Sequence, residues 1–264
     1  MIGLFDSGIG GLTVVRALRA ARPDLSYVYL GDTARAPYGP KSPETIRRYS
    51  EEAVAFLKAQ GAKAIVIACN TASSLAAEHV RALHPELPIF EVVGPAVRLA
   101  ARVSVKKRVG MIGTRATVAS GVYERRLKEL DASIDVVSKA APLLVSLVEE
   151  GWVDQPETVT IVGKYVAEVR DAGVDALILG CTHYPILKAQ IAAAMGEGVK
   201  LVDSAEAVVA EFCATLEKNA ELSASLDRDG RSSYFVTDPT TAFSSLGARW
   251  LGTEIVVSQA RLSA

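Results

Sequence analysis

The chain of 264 residues is 50% hydrophobic, and its 29 Lys and Arg balance 30 Asp and Glu, so it can bury a sizeable core and does not have the composition of a disordered protein. A net charge of -1 gives no long-range attraction to nucleic acid or to an anionic membrane surface, which leaves a small molecule held in a cleft as the expected partner. Asp6, Arg16 and Arg19 break up the start of the chain before a signal-peptide core can form, and no apolar run approaches the roughly 18 residues needed to span a bilayer. A soluble, cytoplasmic protein is expected. The three cysteines, Cys69, Cys181 and Cys213, form no CxxC pair and suggest neither a disulfide framework nor a metal site.

Short β-branched apolar runs alternate with helical patterns, which predicts an α/β fold of parallel strands covered by helices. In chain order the pattern predicts a strand at Ile2–Phe5, a helix at Gly11–Ala21, a strand at Tyr27–Leu30, and a helix at Ser42–Gln60 with Pro43 and Glu44 in its first turn. A strand at Ala64–Ala68, a helix at Ser73–Leu83 and strands at Ile89–Val93 and Arg108–Ile112 follow. Next come a helix at Val118–Glu129, a strand at Ile134–Val137, helices at Leu143–Glu150 and Pro156–Ala172, and a strand at Ala176–Leu179. A helix at Pro185–Met195, a strand at Lys200–Val202 and a helix at Ala205–Asn219 complete the regular pattern. Two weaker strands, Ser233–Val236 and Glu254–Val257, close the chain, and the polar stretch Ser223–Ser232 reads as a mobile loop.

The two halves echo each other. Ala64-Ile-Val-Ile-Ala-Cys69-Asn70-Thr71 matches Ala176-Leu-Ile-Leu-Gly-Cys181-Thr182-His183, Gly3-Leu-Phe-Asp6-Ser7 matches Gly110-Met-Ile-Gly113-Thr114, and Glu91-Val-Val-Gly-Pro95-Ala96 matches Lys200-Leu-Val-Asp-Ser204-Ala205. Three matches in one order, at closely similar spacings, point to two similar α/β domains related by internal duplication. The expected division places residues 1–96 and 207–264 in a first domain and 97–206 in a second.

Ligands of open parallel sheets bind beyond the carboxyl ends of the strands. Cys69 and Cys181 both stand there, so two domains facing across a cleft would each supply one thiol. Such a pair suits a reaction in which a proton leaves one face of a carbon and another arrives on the opposite face. A free thiol is mostly protonated at neutral pH, so a cysteine base needs help from its surroundings. Asp6, at the end of the first strand, and His183, two residues after Cys181, are the candidates. Cys213 lies in a helical apolar pattern and reads as core; His79 and His84, on or just after a polar helix, read as solvated. The turn Gly8-Ile9-Gly10-Gly11 departs from the dinucleotide fingerprint, because Thr13 stands where the third glycine belongs, but its N–H groups suit a carboxylate.

Taken together, Asp6-Ser7-Gly8-Ile9-Gly10-Gly11-Leu12, Gly31-Asp32-Thr33-Ala34-Arg35-Ala36-Pro37-Tyr38-Gly39, Ala68-Cys69-Asn70-Thr71-Ala72-Ser73, Val148-Glu149-Glu150-Gly151 and Gly180-Cys181-Thr182-His183-Tyr184-Pro185 resemble the glutamate racemases of the cofactor-independent aspartate/glutamate racemase superfamily. The resemblance runs through nearly the whole chain up to about residue 205 and departs nowhere at the motif positions. It implies interconversion of L- and D-glutamate without a cofactor, the D form feeding peptidoglycan synthesis, in a site between two α/β domains. Cys69 would act on D-glutamate and Cys181 on L-glutamate, Asp6 would assist Cys69, and His183 with Glu149 would assist Cys181. Substrate would be held by Asp6, Ser7, Tyr38, Gly39, Asn70, Thr71, Thr182 and His183, with Thr114 and Thr117 as further side-chain contacts. A homodimer is expected. The alternatives are an aspartate racemase with the same two thiols, an amino-acid-binding protein without chemistry, and a nicotinamide enzyme.

Overall fold

The computed structural model describes residues 1–262. One sheet holds β1 (Ile2–Asp6), β2 (Tyr27–Gly31), β3 (Ala64–Ile67) and β4 (Ile89–Glu91), and the other holds β5 (Arg108–Gly113), β6 (Asp135–Ala140), β7 (Ala176–Gly180) and β8 (Lys200–Asp203). The chain then returns to the first sheet with β9 (Ser232–Val236) and β10 (Val257–Gln259). The orders are β10-β9-β2-β1-β3-β4 and β6-β5-β7-β8, with every pairing parallel. The first four strands and the next four thus share one order, and two of the echoed segments fall in register on β1 with β5 and on β3 with β7; the third does not, because the strand pairing makes Glu91, the last residue of β4, equivalent to Asp203, the last of β8, and not to Lys200. The fold is α/β with two similar parallel sheets.

The helices are α1 (Leu12–Ala21), α2 (Pro43–Ala59), α3 (Asn70–Leu83), α4 (Val93–Val103), α5 (Arg115–Ala119), α6 (Val122–Leu130), α7 (Leu143–Glu149), α8 (Pro156–Asp171), α9 (Lys188–Met195), α10 (Ser204–Lys218), α11 (Ala220–Ser225) and α12 (Thr241–Leu251). Both faces of each sheet are covered, which is why the central strands read as continuous apolar runs and not as alternation. In the first sheet Phe5, Val28, Leu30, Ile65 and Ile67 pack with Ile46, Val54 and Leu57 of α2. Ile2, Leu4, Tyr29 and Val66 point the other way, toward α1 and α12, and join a cluster that continues into Leu177 and Leu179 of the second sheet. The apolar core therefore runs from one sheet to the other.

Several boundaries differ from the sequence expectation. The helix after Cys69 begins at Asn70, not Ser73, because Cys69 is itself the N-cap and its sulfur accepts the Ala72 N–H. The single helix expected at Val118–Glu129 is two, α5 and α6, separated by Gly121 at φ 62, a left-handed conformation that glycine adopts without strain. Helix α4 was not expected; Pro95 lies in its first turn, where the missing N–H has no intrahelical partner to lose. The divisions after residues 96 and 206 accordingly fall inside α4 and α10, so the chain passes between the sheets through helices. The expected helix Pro185–Met195 opens as a short 3-10 turn at Tyr184–Leu187 before α9.

Helix α12 was also unexpected. Its interior Gly247 hid the pattern, yet a Cβ there would stand 2.6 Å from Ile255 and 3.1 Å from Leu12, so α12 needs glycine to lie close to α1. The segment expected to be a mobile loop starts within α11 and is tied to the first sheet: Gly230 donates to the Asp24 carbonyl, Arg228 pairs with Asp24 at 2.7 Å, and Ser26 N donates to the Asp227 carbonyl. His79 and His84 are half-buried and so only partly solvated, because α2 packs alongside α3 and presents Glu51 to His79 at 2.7 Å and Lys58 to His84 at 3.2 Å. Among the described residues no helix is long and apolar enough to cross a membrane.

Candidate active site

The carboxyl ends of the two sheets face each other, and nearly every residue singled out in the sequence meets there. Cys69 ends the turn after β3 and Cys181 follows β7; each is only 5% exposed, so both are withdrawn from solvent. They are close enough for the charge of one to disfavour the charge of the other.

Their surroundings differ. Cys69 sits at the N-terminus of the 14-residue helix α3, with the Ala72 N–H directed at its sulfur at 3.5 Å and the polar Ser7 side chain nearby, both of which favour a thiolate. Burial and the neighbouring Asp6 carboxylate oppose them and win, pushing the thiol up to about 12. Cys181 is followed not by an α-helix but by the Tyr184–Leu187 turn, and the N–H three residues on, that of Tyr184, donates to the Cys181 carbonyl at 3.1 Å and not to its sulfur. Its neighbour is His183, with Nδ1 3.7 Å from the sulfur and Nε2 2.9 Å from Glu149 Oε1. Burial works against an imidazolium, but the hydrogen bonds to Cys181 and Glu149 outweigh it and raise His183 to about 10. Of the adjacent acids it is Glu149, at the end of α7, that reaches the ring.

Asp6 is fully buried at the end of β1, where it accepts the Gly8 N–H at 3.0 Å and the Thr182 hydroxyl at 3.4 Å from across the cleft. Burial raises its pKa, while the His183 charge and the Gly8, Gly11 and Ser7 N–H groups pull the other way. A second set of contacts crosses the cleft at α3. The Thr71 hydroxyl bonds Thr114 at 3.0 Å and Thr117 at 3.4 Å, and the last two are 2.9 Å apart. Gly39 lies against Thr114, with its carbonyl accepting the Ala116 N–H. Tyr38 is buried beside Cys69, its hydroxyl donated to Asp32. Asn70 receives the Tyr123 hydroxyl at 2.6 Å and donates to Ser204 at 3.4 Å.

Sequence reasoning passed over several participants. Tyr123 carries no motif and reaches Asn70 only through the packing of α6. Ser204 stood in the echoed segment opposite Pro95, a position that gives no chemical hint. Tyr29 donates to the Gly8 carbonyl at 2.6 Å and fixes the Asp6 loop from below. Thr13, whose presence broke the dinucleotide pattern, donates to the Thr182 carbonyl at 2.9 Å and so ties the first glycine turn to the Cys181 loop.

Gly10 has the most exacting position. A Cβ there would lie 2.2 Å from the Thr182 hydroxyl and 2.6 Å from the His183 ring. Its φ is not positive, so the backbone accepts alanine and only the approach of the two loops is blocked. Gly10→Ala is therefore expected to lower the melting temperature, because buried Thr182 and His183 must give way, and to lower turnover about 100-fold, the scale of an ångström-sized misplacement. Turnover and melting measured on one preparation check it, and unimpaired turnover contradicts the closed arrangement.

The profile of the Asp/Glu/Hydantoin racemase family matches residues 12–212. The chain is 45% identical over 251 residues to the glutamate racemase of Geobacter metallireducens, covering 95% of this chain and 92% of that one. Among solved structures, it superposes on a glutamate racemase of Bacillus anthracis with a TM-score of 0.91 at 36% identity, covering 99% of this chain and 97% of that one. The glutamate racemase of Francisella tularensis, solved in complex with D-glutamate, gives a TM-score of 0.89 at 36% identity, with 99% and 97% of the two chains covered. With its two parallel sheets, paired strand-end cysteines and these relatives, the chain belongs to the Asp/Glu/Hydantoin racemase family, among its glutamate racemases.

Proposed function

We propose that this protein interconverts L- and D-glutamate by moving the α-proton between Cys69 and Cys181, without a cofactor. The observation that carries the reading is the equivalent placement of the two thiols, buried and near each other, at the ends of β3 and β7 in the two sheets. In one direction the Cys69 thiolate takes the α-proton of D-glutamate from one face, and the Cys181 thiol donates its proton to the other face of the planar carbanion. The reaction leaves Cys69 as thiol and Cys181 as thiolate, the state from which L-glutamate is converted back. No proton is gained or lost overall.

The remaining residues divide between the two ends of the substrate. Asp6 and Ser7 face the α-ammonium group, whose positive charge offsets the Asp6 carboxylate and so eases ionisation of Cys69. Asn70, Thr71 and Thr182 hold the α-carboxylate. Gly39 beside Tyr38, with Thr114 and Thr117, holds the side-chain carboxylate. Hydroxyl, amide and backbone N–H donors bind two carboxylates without a fixed cation that would compete for the thiolates. The α-proton of an amino acid is a very weak acid, so the carbanion requires a preorganised, water-poor site. Because the sulfurs are withdrawn from solvent, entry and release require the two sheets to part, and we take residues 1–96 with 207–264, and 97–206, as the moving domains. The cell would use the D-glutamate for peptidoglycan, in the cytoplasm, with the enzyme acting as a homodimer.

The test is incubation of the purified protein with D-glutamate in heavy water, with only a thiol reductant added. Loss of optical rotation with deuterium entering the α-carbon is the expected result. Inertness toward both glutamate enantiomers overturns the reading. Racemisation of aspartate in their place would keep the two-thiol chemistry and reassign the substrate.

A further inference from the structure

A cavity of about 520 Å³ opens at the far end of the first sheet from the two cysteines, where β2 and β9 begin. Arg16, Arg19 and Arg22 of α1 and its C-cap line one side of it, and Tyr27, Ser232 and Tyr234 line the other. Arg22 is held by Asp24 at 2.8 Å, whereas Arg16 and Arg19 form no ion pair among the described residues. Arg19 Nη1 is buried and has no hydrogen-bond partner among them either. A buried donor without an acceptor is costly, and Arg19 would relieve that cost by turning its guanidinium into the cavity toward an acceptor supplied by a ligand. Among the described residues Glu254, exposed after α12, is the one acidic residue lining the cavity, which leaves the two guanidinium groups in excess.

Guanidinium groups in excess select an oxyanion, and phosphate matches their planar fork. The paired hydroxyls of Tyr27 and Tyr234, 2.5 Å apart, with those of Ser232 and Thr253, offer donors and acceptors to a polar body attached to such an anion. The volume lies within the range of small-molecule sites and well above that of one ion. We propose that this cavity is a second ligand site, separate from the racemase centre, which binds a phosphate group through Arg19 and Arg16. The group arrives either as free phosphate or as the phosphate of a hydroxylated small molecule. The proposal is independent of the racemase reading, since none of these residues has been placed in the catalytic or substrate-binding machinery.

Calorimetric titration of the whole chain at constant ionic strength, with inorganic phosphate and separately with a hexose 6-phosphate, tests it. One saturable site per chain is expected. Arg19→Gln and Arg16→Gln should each weaken binding about tenfold or more, while Lys164→Gln, an exposed cation on α8, should leave it unchanged. Tighter binding of the sugar phosphate assigns the site to a phosphorylated metabolite; equal binding assigns it to free phosphate. Arg16 is exposed, so its variant tests the site even if Arg19→Gln lowers the melting temperature. No saturable binding of either probe up to about 10 mM, or affinity unchanged in both arginine variants, overturns the proposal.

Discussion

Cys69→Ser and Cys181→Ser are each expected to lose racemisation by a factor of about 10³ or more, the scale of removing an essential acid–base group. The serine hydroxyl is a far weaker acid than a thiol, so neither proton removal nor proton return survives at that wall. The loss is separable from a folding defect. Cys69 is the N-cap of α3, with its sulfur accepting the Ala72 N–H, and serine is among the preferred residues at that position, so Cys69→Ser should keep or slightly raise the melting temperature. The free energies of the two enantiomers are equal, so the equilibrium constant is one and kcat/KM must fall equally in both directions in any variant. One-sidedness is therefore invisible to racemisation rates. It is expected in irreversible elimination from glutamate analogues that carry a leaving group on the β-carbon: Cys69→Ser should keep elimination from the L-configured analogue and Cys181→Ser from the D-configured one. Undiminished racemisation by either variant would falsify the two-thiol mechanism.

Activity should also carry the signature of His183. Cys69 is pushed up to about 12 in the empty site, so the thiolate fraction, and with it kcat/KM for D-glutamate, should rise about tenfold per pH unit from neutral pH. His183 is raised to about 10 and holds its positive charge beside Cys181 until the pH reaches that value. The rise is expected to flatten near pH 10 as the imidazolium is lost. Glu149→Gln removes the carboxylate charge that helps raise His183, while its amide oxygen can still accept the Nε2 proton, and should move the bend to lower pH, with kcat reduced about tenfold at neutral pH. His183→Asn should remove the enzyme's bend altogether. The substrate's own ammonium group titrates alike in every variant, so comparison of the three profiles isolates His183. Identical profiles in wild type and His183→Asn would leave Cys181 without the partner that the 3.7 Å contact suggests.

Much of the architecture was legible because it depends on local pattern. Buried parallel strands require short apolar runs, and all ten expected strands have a counterpart within a few residues. The weakest, expected at Glu254–Val257, pairs instead at Val257–Gln259, because the register is set by β9 and not by the run itself. The misplaced helices share a cause: Pro95 in α4 and Gly247 in α12 read locally as breakers, while the first-turn position of one and the close packing of the other make them acceptable. Cys69, Cys181, Asp6 and His183 could be picked out because each stands directly at or just after a strand end, a place the sequence marks.

What the sequence by itself determined is the set of strand-end groups and the repetition that puts the two thiols in equivalent places. Only the tertiary structure decided how those groups meet. The Thr71, Thr114 and Thr117 hydroxyls, Asn70 with Tyr123 and Ser204, and Gly10 against Thr182 and His183 join residues far apart in the chain, and such contacts depend on the angle and distance between two sheets. The difference between the two cysteines was decided there as well. Asp6 and the α3 N-terminus surround one, His183 and Glu149 the other, and burial weights every one of those interactions. The local pattern of residues specifies which groups end a strand; the dielectric environment and the partners they find belong to the packed whole.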